Sequence, residues 1–366
     1  MRILHIIDDM NMGGAQSLLV ELAPVQKASG HDVVVLELVS SSDATFGNKL
    51  QENGIELKTI STSRSVRNPL NIFSIIPYLR NCDIAHVHLF PANYWTAIAK
   101  LISLCKTPIV TTEHSTDNKR RKIGIFKYLD SFIYRRYSKV VACSDKALET
   151  FKARYNKVDC ISIPNGVNIS KYRNAQSYSK QELINVSEDT FITTMVARFT
   201  YPKRQDTLIE AISLLPDKFH SILVGGTPED DGVIKIKKLA TTLGVDNRVH
   251  FLYTRSDVPR ILKSSDVIVM SSEYEGLSLS SIEGMACGHP FIASNVNGLR
   301  EVVNGAGELV ECGNAKALAD KIHKLATDVN YYEDVTTKCI SRANEYDIKN
   351  VCSKYMEIYA HFVNNA

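Results

Sequence analysis

A chain of 366 residues exceeds what one hydrophobic core usually supports, so two domains are expected. Its 44% hydrophobic and 23% charged residues are those of an ordinary soluble globular protein, and no apolar run approaches the roughly 18 residues of a membrane-spanning helix. The net charge is only +3, and eight cysteines without a Cys-x-x-Cys pair or a metal-site spacing read as reduced cytosolic thiols, not as a disulfide or zinc framework.

The opening Met-Arg-Ile-Leu-His-Ile-Ile-Asp-Asp is too short an apolar stretch for a signal peptide and reads as a first strand. Strand-like runs follow, so that the first half holds candidates over 2–7, 32–38, 55–60, 83–88, 108–112, 139–144 and 160–163. Helix-length segments such as 16–29 and 93–104 lie between them. The first strand-to-helix turn, Asp9-Met-Asn-Met-Gly13-Gly14-Ala-Gln16, carries a double glycine that admits close backbone approach and conformations closed to other residues. It lacks the Gly-x-Gly-x-x-Gly dinucleotide fingerprint. His86 and His88 stand two apart on one strand; one is expected toward a cleft, with core or cap roles favoured over catalysis.

The polar segment 164–187, with Pro-Asn-Gly and clusters of Ser, Asn and Lys, reads as a linker. The rhythm then repeats, with strands over 191–197, 220–224, 249–252, 266–270, 290–294 and 307–311 and helices such as 206–214 and 233–243. Alternating strands and helices form right-handed parallel units, so the expected fold is α/β with two Rossmann-like parallel-sheet domains. Their bounds are 1–170 and 171–366, with the last helix, 345–366, a candidate to pack back on the first domain. Ligands of such sheets bind beyond the carboxyl ends of the strands, so two sheets facing each other across a hinge would share one cleft.

Charge is unevenly spread: residues 1–170 carry 21 Lys/Arg against 15 Asp/Glu, a balance of +6, whereas the remainder is at −3. Between Lys119 and Lys139 stand eight basic residues and one acid, Asp130, with Ile123, Phe126, Leu129, Phe132 and Ile133 at helical spacing. The apolar stripe reads as a core-packed face and the basic edge as solvated. That edge also suits an anionic membrane surface or a phosphorylated acceptor. Nucleic acid is disfavoured, because the basic residues are not spread over a fold-scale surface with stacking aromatics.

The most informative stretch is Ser-Glu-Tyr-Glu-Gly-Leu-Ser-Leu-Ser-Ser-Ile-Glu-Gly-Met-Ala-Cys-Gly-His-Pro, residues 272–290, with Glu275 and Glu283 eight positions apart. It follows a buried-strand run and passes through small and hydroxyl residues into a helix expected to start near 278–280. Such a helix start offers unpaired N–H groups and a positive dipole end, a site for phosphate. Two carboxylates there would repel bare phosphate but accept hydrogen bonds from pairs of hydroxyls. The ligand chemistry is therefore phosphate joined to sugars, and a nucleoside diphosphate sugar fits. Capping and solvation would account for one glutamate; the second stands beside Gly-Met-Ala-Cys-Gly, whose small residues imply close packing.

With these motifs in place, the chain resembles, nearly end to end, the retaining glycosyltransferases of family 4, which have the GT-B fold of two Rossmann-like domains facing across a cleft. The paired glutamates with the downstream Ala-Cys-Gly-x-Pro carry the likeness, as does Val196-Ala-Arg198-Phe-Thr-Tyr-Pro-Lys203-Arg-Gln-Asp-Thr-Leu-Ile-Glu. The resemblance implies that Arg198 and Lys203 grip the donor's diphosphate; an Arg at a strand's end and a Lys at the next helix's start can converge on one pyrophosphate. It implies that Glu275 binds hydroxyls of the transferred sugar and Glu283 the ribose diol. Backbone N–H groups of Gly276, Leu277, Leu279 and Ser280 would serve the diphosphate or sugar. Leu252, Tyr253 and Arg255 fall in the segment that holds the base, and Gly13 and Gly14 match the first glycine loop. His114, in Thr-Thr-Glu-His, matches the N-domain histidine that approaches the transferred sugar. Departures are Asn297 where a second glycine is common, Leu277 for an aromatic, and His289 for an apolar residue; they leave the donor sugar open.

The resemblance further implies a hexosyl- or N-acetylhexosaminyl-transferase that keeps the anomeric configuration, with no protein nucleophile, metal or cofactor. No Asp-x-Asp motif stands where it could hold the diphosphate through a metal. A UDP-sugar is the favoured donor, and a saccharide or lipid-linked saccharide at the cytoplasmic membrane face, in surface polysaccharide assembly, the expected acceptor. Two alternatives are a non-catalytic sugar-nucleotide-binding subunit, which tends to lose the charged ligands present here, and a nucleotide-sugar epimerase, which needs several acid/base groups in place of the paired-glutamate motif.

Overall fold

The computed structural model describes residues 1–11, 13–114, 124–275 and 278–365. The chain divides into two compact units, Met1–Gly166 together with Ile348–Ala366, and Val167–Asp347. In the first, β1 (Arg2–Ile7), β2 (Asp32–Val39), β3 (Glu56–Ser61), β4 (Ile84–His88), β5 (Ile109–Glu113), β6 (Lys139–Ala142) and β7 (Cys160–Ser162) form one sheet in the order β3-β2-β1-β4-β5-β6-β7. In the second, β8 (Phe191–Val196), β9 (Phe219–Val224), β10 (Val249–Tyr253), β11 (Val267–Met270), β12 (Phe291–Ser294) and β13 (Glu308–Val310) take the order β10-β9-β8-β11-β12-β13. Every strand pairing in both sheets is parallel. The fold is thus α/β with two Rossmann-like sheets. Each strand expected from the sequence is present, because short Val/Ile/Leu runs between helix-length segments can bury both faces only inside such a sheet. Among the described residues, no helix is long and apolar enough to cross a membrane.

The first sheet sorts its side chains by the period of two. Leu4, Ile6, Ala85 and Val87 face one core with Ile75, Leu79 and Phe151. Ile3, Ile7 and Ile84 face another, built from helix Gly14–Ala28 through Leu18, Leu19 and Leu22 and from helix Ile348–Asn364 through Val351, Tyr355 and Tyr359.

The helix Gly124–Tyr134 departs from the expected stripe. Its buried side is Asp130, Ile133 and Tyr134, continued by Tyr137, while Leu129 and Phe132 lie at the surface. Asp130 takes the inner position because it accepts hydrogen bonds from the hydroxyls of Tyr94 and, at 2.6 Å, Tyr155. Tyr134, Phe151 and Tyr155 then fill the core around it. Residues 119–123 of the basic segment, Ile123 included, lie outside the described residues.

The face of the first sheet beneath helices Gly14–Ala28 and Ile348–Asn364 also carries a polar layer. His5 of β1 stands beside His86 of β4, and His88 beside Thr112 of β5. His5, His86 and His88 are wholly buried. His86 lies 2.5 Å from the Tyr359 hydroxyl and 2.7 Å from that of Thr112, and His5 is 2.7 Å from Gln26 Oε1. Burial pushes His5 and His114 down to about 4, and His86 and His88 well below the usual 6.5.

Between pH 6.5 and about 4 the unfolded chain binds protons that the buried imidazoles refuse. Stability from this layer is therefore complete above pH 6.5 and lost as pH falls through that window. Asp8 runs the other way: burial pushes it up to about 7 from 3.8, so its contribution is present at low pH and lost as pH rises through that range. At about 1.4 kcal/mol per pKa unit, several imidazoles outweigh one carboxyl. The melting temperature is expected to fall by roughly 5 °C or more between pH 7 and pH 5; a rise over that range, read by calorimetry, would show the carboxyl dominating.

Candidate functional site

In the second sheet the strand order reverses at the junction of β8 and β11, and ligands of open α/β sheets bind outside the carboxyl ends at such a point. The segment after β8 carries Arg198 and Lys203; the segment after β11 carries Glu275. Parallel pairing brings these two segments to the same end of the sheet. There the Lys203 ammonium pairs with Glu275 Oε1, and the Ser272 hydroxyl donates to the same oxygen at 2.7 Å. The two charged side chains are only 19% and 14% exposed, so each depends on the other for a counter-charge. Ser271 donates to the Arg204 carbonyl at 2.7 Å, and the Glu273 amide to the Pro202 carbonyl at 2.9 Å, so the segments are tied by backbone as well. Arg198 is exposed, with no ion pair among the described residues, and its carbonyl accepts from Gln205 Nε2 at 2.9 Å.

Leu279 and Ser280 open the helix Leu279–Ala286, so their N–H groups are among those a helix start leaves without intrahelical partners. Ser278 caps this helix, its hydroxyl accepting from the Ser281 amide at 3.3 Å. Glu283 lies half-buried one turn along it. The next residue, Gly284, packs so closely that an added Cβ would come within 2.6 Å of the Phe291 ring. Gly276 and Leu277 lie outside the described residues.

Leu252, Tyr253 and Arg255 stand at the end of β10, two strands from β8 and so about 10 Å along the sheet edge. Tyr253 has φ of +55° and its carbonyl accepts from the Gly225 amide at 2.7 Å. Arg255 makes a two-pronged pair with Asp257 at 2.8 and 2.6 Å, and that guanidinium holds the Asp257 carboxyl well below the usual range.

Two glycines that the motif reading passed over hold the backbone on either side of Arg198. A Cβ on Gly225 would lie 2.2 Å from the Ala197 carbonyl oxygen, and one on Gly232 2.0 Å from that of Phe199. The readable signal is Gly225-Gly226 directly after a strand, a double glycine like that at Gly13-Gly14. At Gly13 and Gly14 the expectation of conformations closed to other residues fails. Gly13 is extended at φ −165°, and neither glycine has a positive φ. What Gly13 supplies is room: a Cβ there would meet Gln16 Oε1 at 2.5 Å.

In the first unit His114 follows β5 and its Nε2 lies 3.2 Å from His88 Nδ1. His86 and His88 share one face of β4 and both are wholly buried, as the favoured core role requires. The structure therefore joins Lys203, Glu275 and Ser272 in one cluster and His114 with His88 in another.

Gly225 has φ of +130°, so Gly225→Ala adds a strained backbone to a clash with a carbonyl that cannot yield. A cost of at least about 2 kcal/mol is expected in chemical denaturation.

The description "Glycosyl transferases group 1" matches residues 178–342, and "Glycosyltransferase Family 4" matches residues 12–171. Over 247 residues the chain is 27% identical to the N,N'-diacetylbacillosaminyl-diphospho-undecaprenol alpha-1,3-N-acetylgalactosaminyltransferase of Campylobacter jejuni, covering 66% of this chain and 62% of that protein. Over 327 residues it is 25% identical to the UDP-Gal:alpha-D-GlcNAc-diphosphoundecaprenol alpha-1,3-galactosyltransferase of Escherichia coli, covering 84% and 82%. A glycosyltransferase crystal structure from Rickettsia africae superposes with a TM-score of 0.84 at 26% identity, covering 100% of this chain and 99% of that one. Anabaena HepE, crystallised with UDP, has the same fold with a TM-score of 0.83 at 22% identity, covering 99% and 100%. With one family description on each half and this fold throughout, the chain belongs to the GT-B glycosyltransferases of group 1 and family 4.

Proposed function

We propose that this glycosyltransferase moves a hexose or N-acetylhexosamine from a UDP-sugar to a hydroxyl of a lipid-linked saccharide, with retention and without a metal, in surface polysaccharide assembly. The observation that carries this reading is the Lys203–Glu275–Ser272 cluster beside the start of helix Leu279–Ala286. The leaving group is a nucleoside diphosphate, so the main catalytic need is to stabilise its growing negative charge. Lys203, Arg198 and the N–H groups of Leu279 and Ser280 supply positive charge and donors. Glu275 offers its carboxylate to sugar hydroxyls, and Glu283 to the ribose diol. A nucleotide laid along the carboxyl edge of the sheet would set its base at Leu252, Tyr253 and Arg255 and its diphosphate at β8. Resemblance to the family assigns His114 and the Gly13-Gly14 turn to the sugar and acceptor. The departing diphosphate itself helps to deprotonate the acceptor, so no protein nucleophile is assigned. Relatives named for UDP-galactose and for undecaprenyl diphosphate acceptors support the donor and acceptor classes.

The helix Gly124–Tyr134 supports work at the cytoplasmic membrane face. It exposes Leu129, Phe132 and Tyr128, the last at 79%, beside exposed Lys127, Arg135 and Arg136. Arg136 lies over the Phe132 ring at 4.5 Å. Aromatic residues among basic ones suit the headgroup layer of an anionic surface, at about 1 kcal/mol per basic residue.

Incubation with UDP- and GDP-sugars, with and without EDTA, should release UDP from a UDP-sugar equally in both. Lys203→Ala and Glu275→Ala should each lower kcat/KM by about a hundredfold; a strict metal requirement, or normal turnover in either variant, would contradict the mechanism. In flotation assays the protein should bind vesicles containing phosphatidylglycerol and not pure phosphatidylcholine. Phe132→Ser with Arg135→Glu and Arg136→Glu should abolish that binding, and retained binding would remove this helix from the membrane contact.

A further inference from the structure

Three imidazoles in the first unit form a chain that ends at His114. His5 Nε2 lies 2.7 Å from Gln26 Oε1, His5 Nδ1 3.2 Å from His88 Nε2, and His88 Nδ1 3.2 Å from His114 Nε2. A neutral imidazole has one N–H and one lone pair, so each link dictates the next. Gln26 Oε1 only accepts, which places the proton of His5 on Nε2 and leaves Nδ1 to accept. His88 Nε2 then donates to His5, its Nδ1 accepts, and His114 must donate from Nε2. The remaining nitrogen, His114 Nδ1, is a lone pair that is buried and has no partner among the described residues. Gln26 takes up no proton, so the chain orients and does not conduct.

A cation would compete for this layer, since ligand atoms of His5, His86 and His88 lie within 4.8 Å of one another. All six of their ring nitrogens already lie within hydrogen-bonding distance of Gln26, Tyr359, Thr112, His114 or one another, and an ion would have to displace those bonds.

We propose that Gln26, His5 and His88 are positioning residues that lock His114 as its Nε2–H tautomer, so that Nδ1 offers a lone pair to a hydroxyl of the transferred sugar. The last step rests on the reading of His114 as a sugar contact; the lock does not.

Two-bond proton–nitrogen correlation spectra of the ¹⁵N-labelled full chain read the tautomer directly, with His114 identified by loss of its signals in His114→Gln. The expected spectrum, without any ligand, has a protonated Nε2 and a pyridine-like Nδ1. Gln26→Leu removes the anchor and should mix the two tautomers. It should also lower kcat about tenfold, as loss of an outer partner of a functional histidine does, with donor KM within about twofold. A wild-type Nδ1–H tautomer, an unchanged tautomer in Gln26→Leu, or one bound zinc per purified chain would overturn the lock. A shifted tautomer with unchanged kcat would keep the lock and overturn the sugar contact. Should Gln26→Leu fail to fold, the wild-type spectrum alone decides.

Discussion

A lysine and a glutamate, both largely withdrawn from water, face each other at the carboxyl ends of two neighbouring parallel strands and tie together the two segments that follow them. At the contact distance of an ion pair, attraction is worth about 1 kcal/mol in water and about 4 kcal/mol near a protein surface. Lys203 and Glu275 retain some solvent exposure, so the net gain lies toward the lower figure. The pair matters more for what it positions. By holding residues 203 and 275 together it ties the segment after β8 to the segment after β11 at the carboxyl edge of the sheet. Ser271 and Ser272 add hydrogen bonds to the same two segments, and Gly225 and Gly232 admit the backbone around Arg198.

The first unit solves a different problem. One face of its sheet is packed by ordinary apolar residues, while the other adds three histidines and a threonine, covered by two helices that contribute a glutamine and two tyrosines. Buried polar groups are costly unless paired, and all six ring nitrogens of His5, His86 and His88 lie within hydrogen-bonding distance of a partner. Burial lowers the imidazoles far enough to keep them neutral, which avoids the much larger cost of an isolated charge. Ile348–Asn364 takes part in that solution: Tyr355 and Tyr359 reach Thr112 and His86. The helix is therefore held by polar as well as apolar contacts.

Two helices show opposite outcomes for sequence periodicity. In Leu279–Ala286 the small residues beside Glu283 implied close packing, and Gly284 does approach the Phe291 ring. In Gly124–Tyr134 the apolar stripe implied a core face, yet Asp130 occupies the interior because two tyrosine hydroxyls await it. A helical wheel counts apolar residues and is blind to partners that other elements supply.

The strands, their parallel alternation and the candidacy of Arg198, Lys203, Glu275 and Glu283 were all legible in the amino-acid sequence, because each depends on a short window: an apolar run, a small-residue turn, a spacing along one helix. The glycines at 225 and 232 were present in the sequence as well, but their purpose lies in carbonyls 28 and 33 residues earlier. Tertiary structure alone decided that Lys203 pairs with Glu275, 72 residues away, and that Tyr359 meets His86 across 273. It also turned Phe132 outward and buried the histidines as neutral rings. Those outcomes depend on which elements pack together, and local pattern carries no record of that choice.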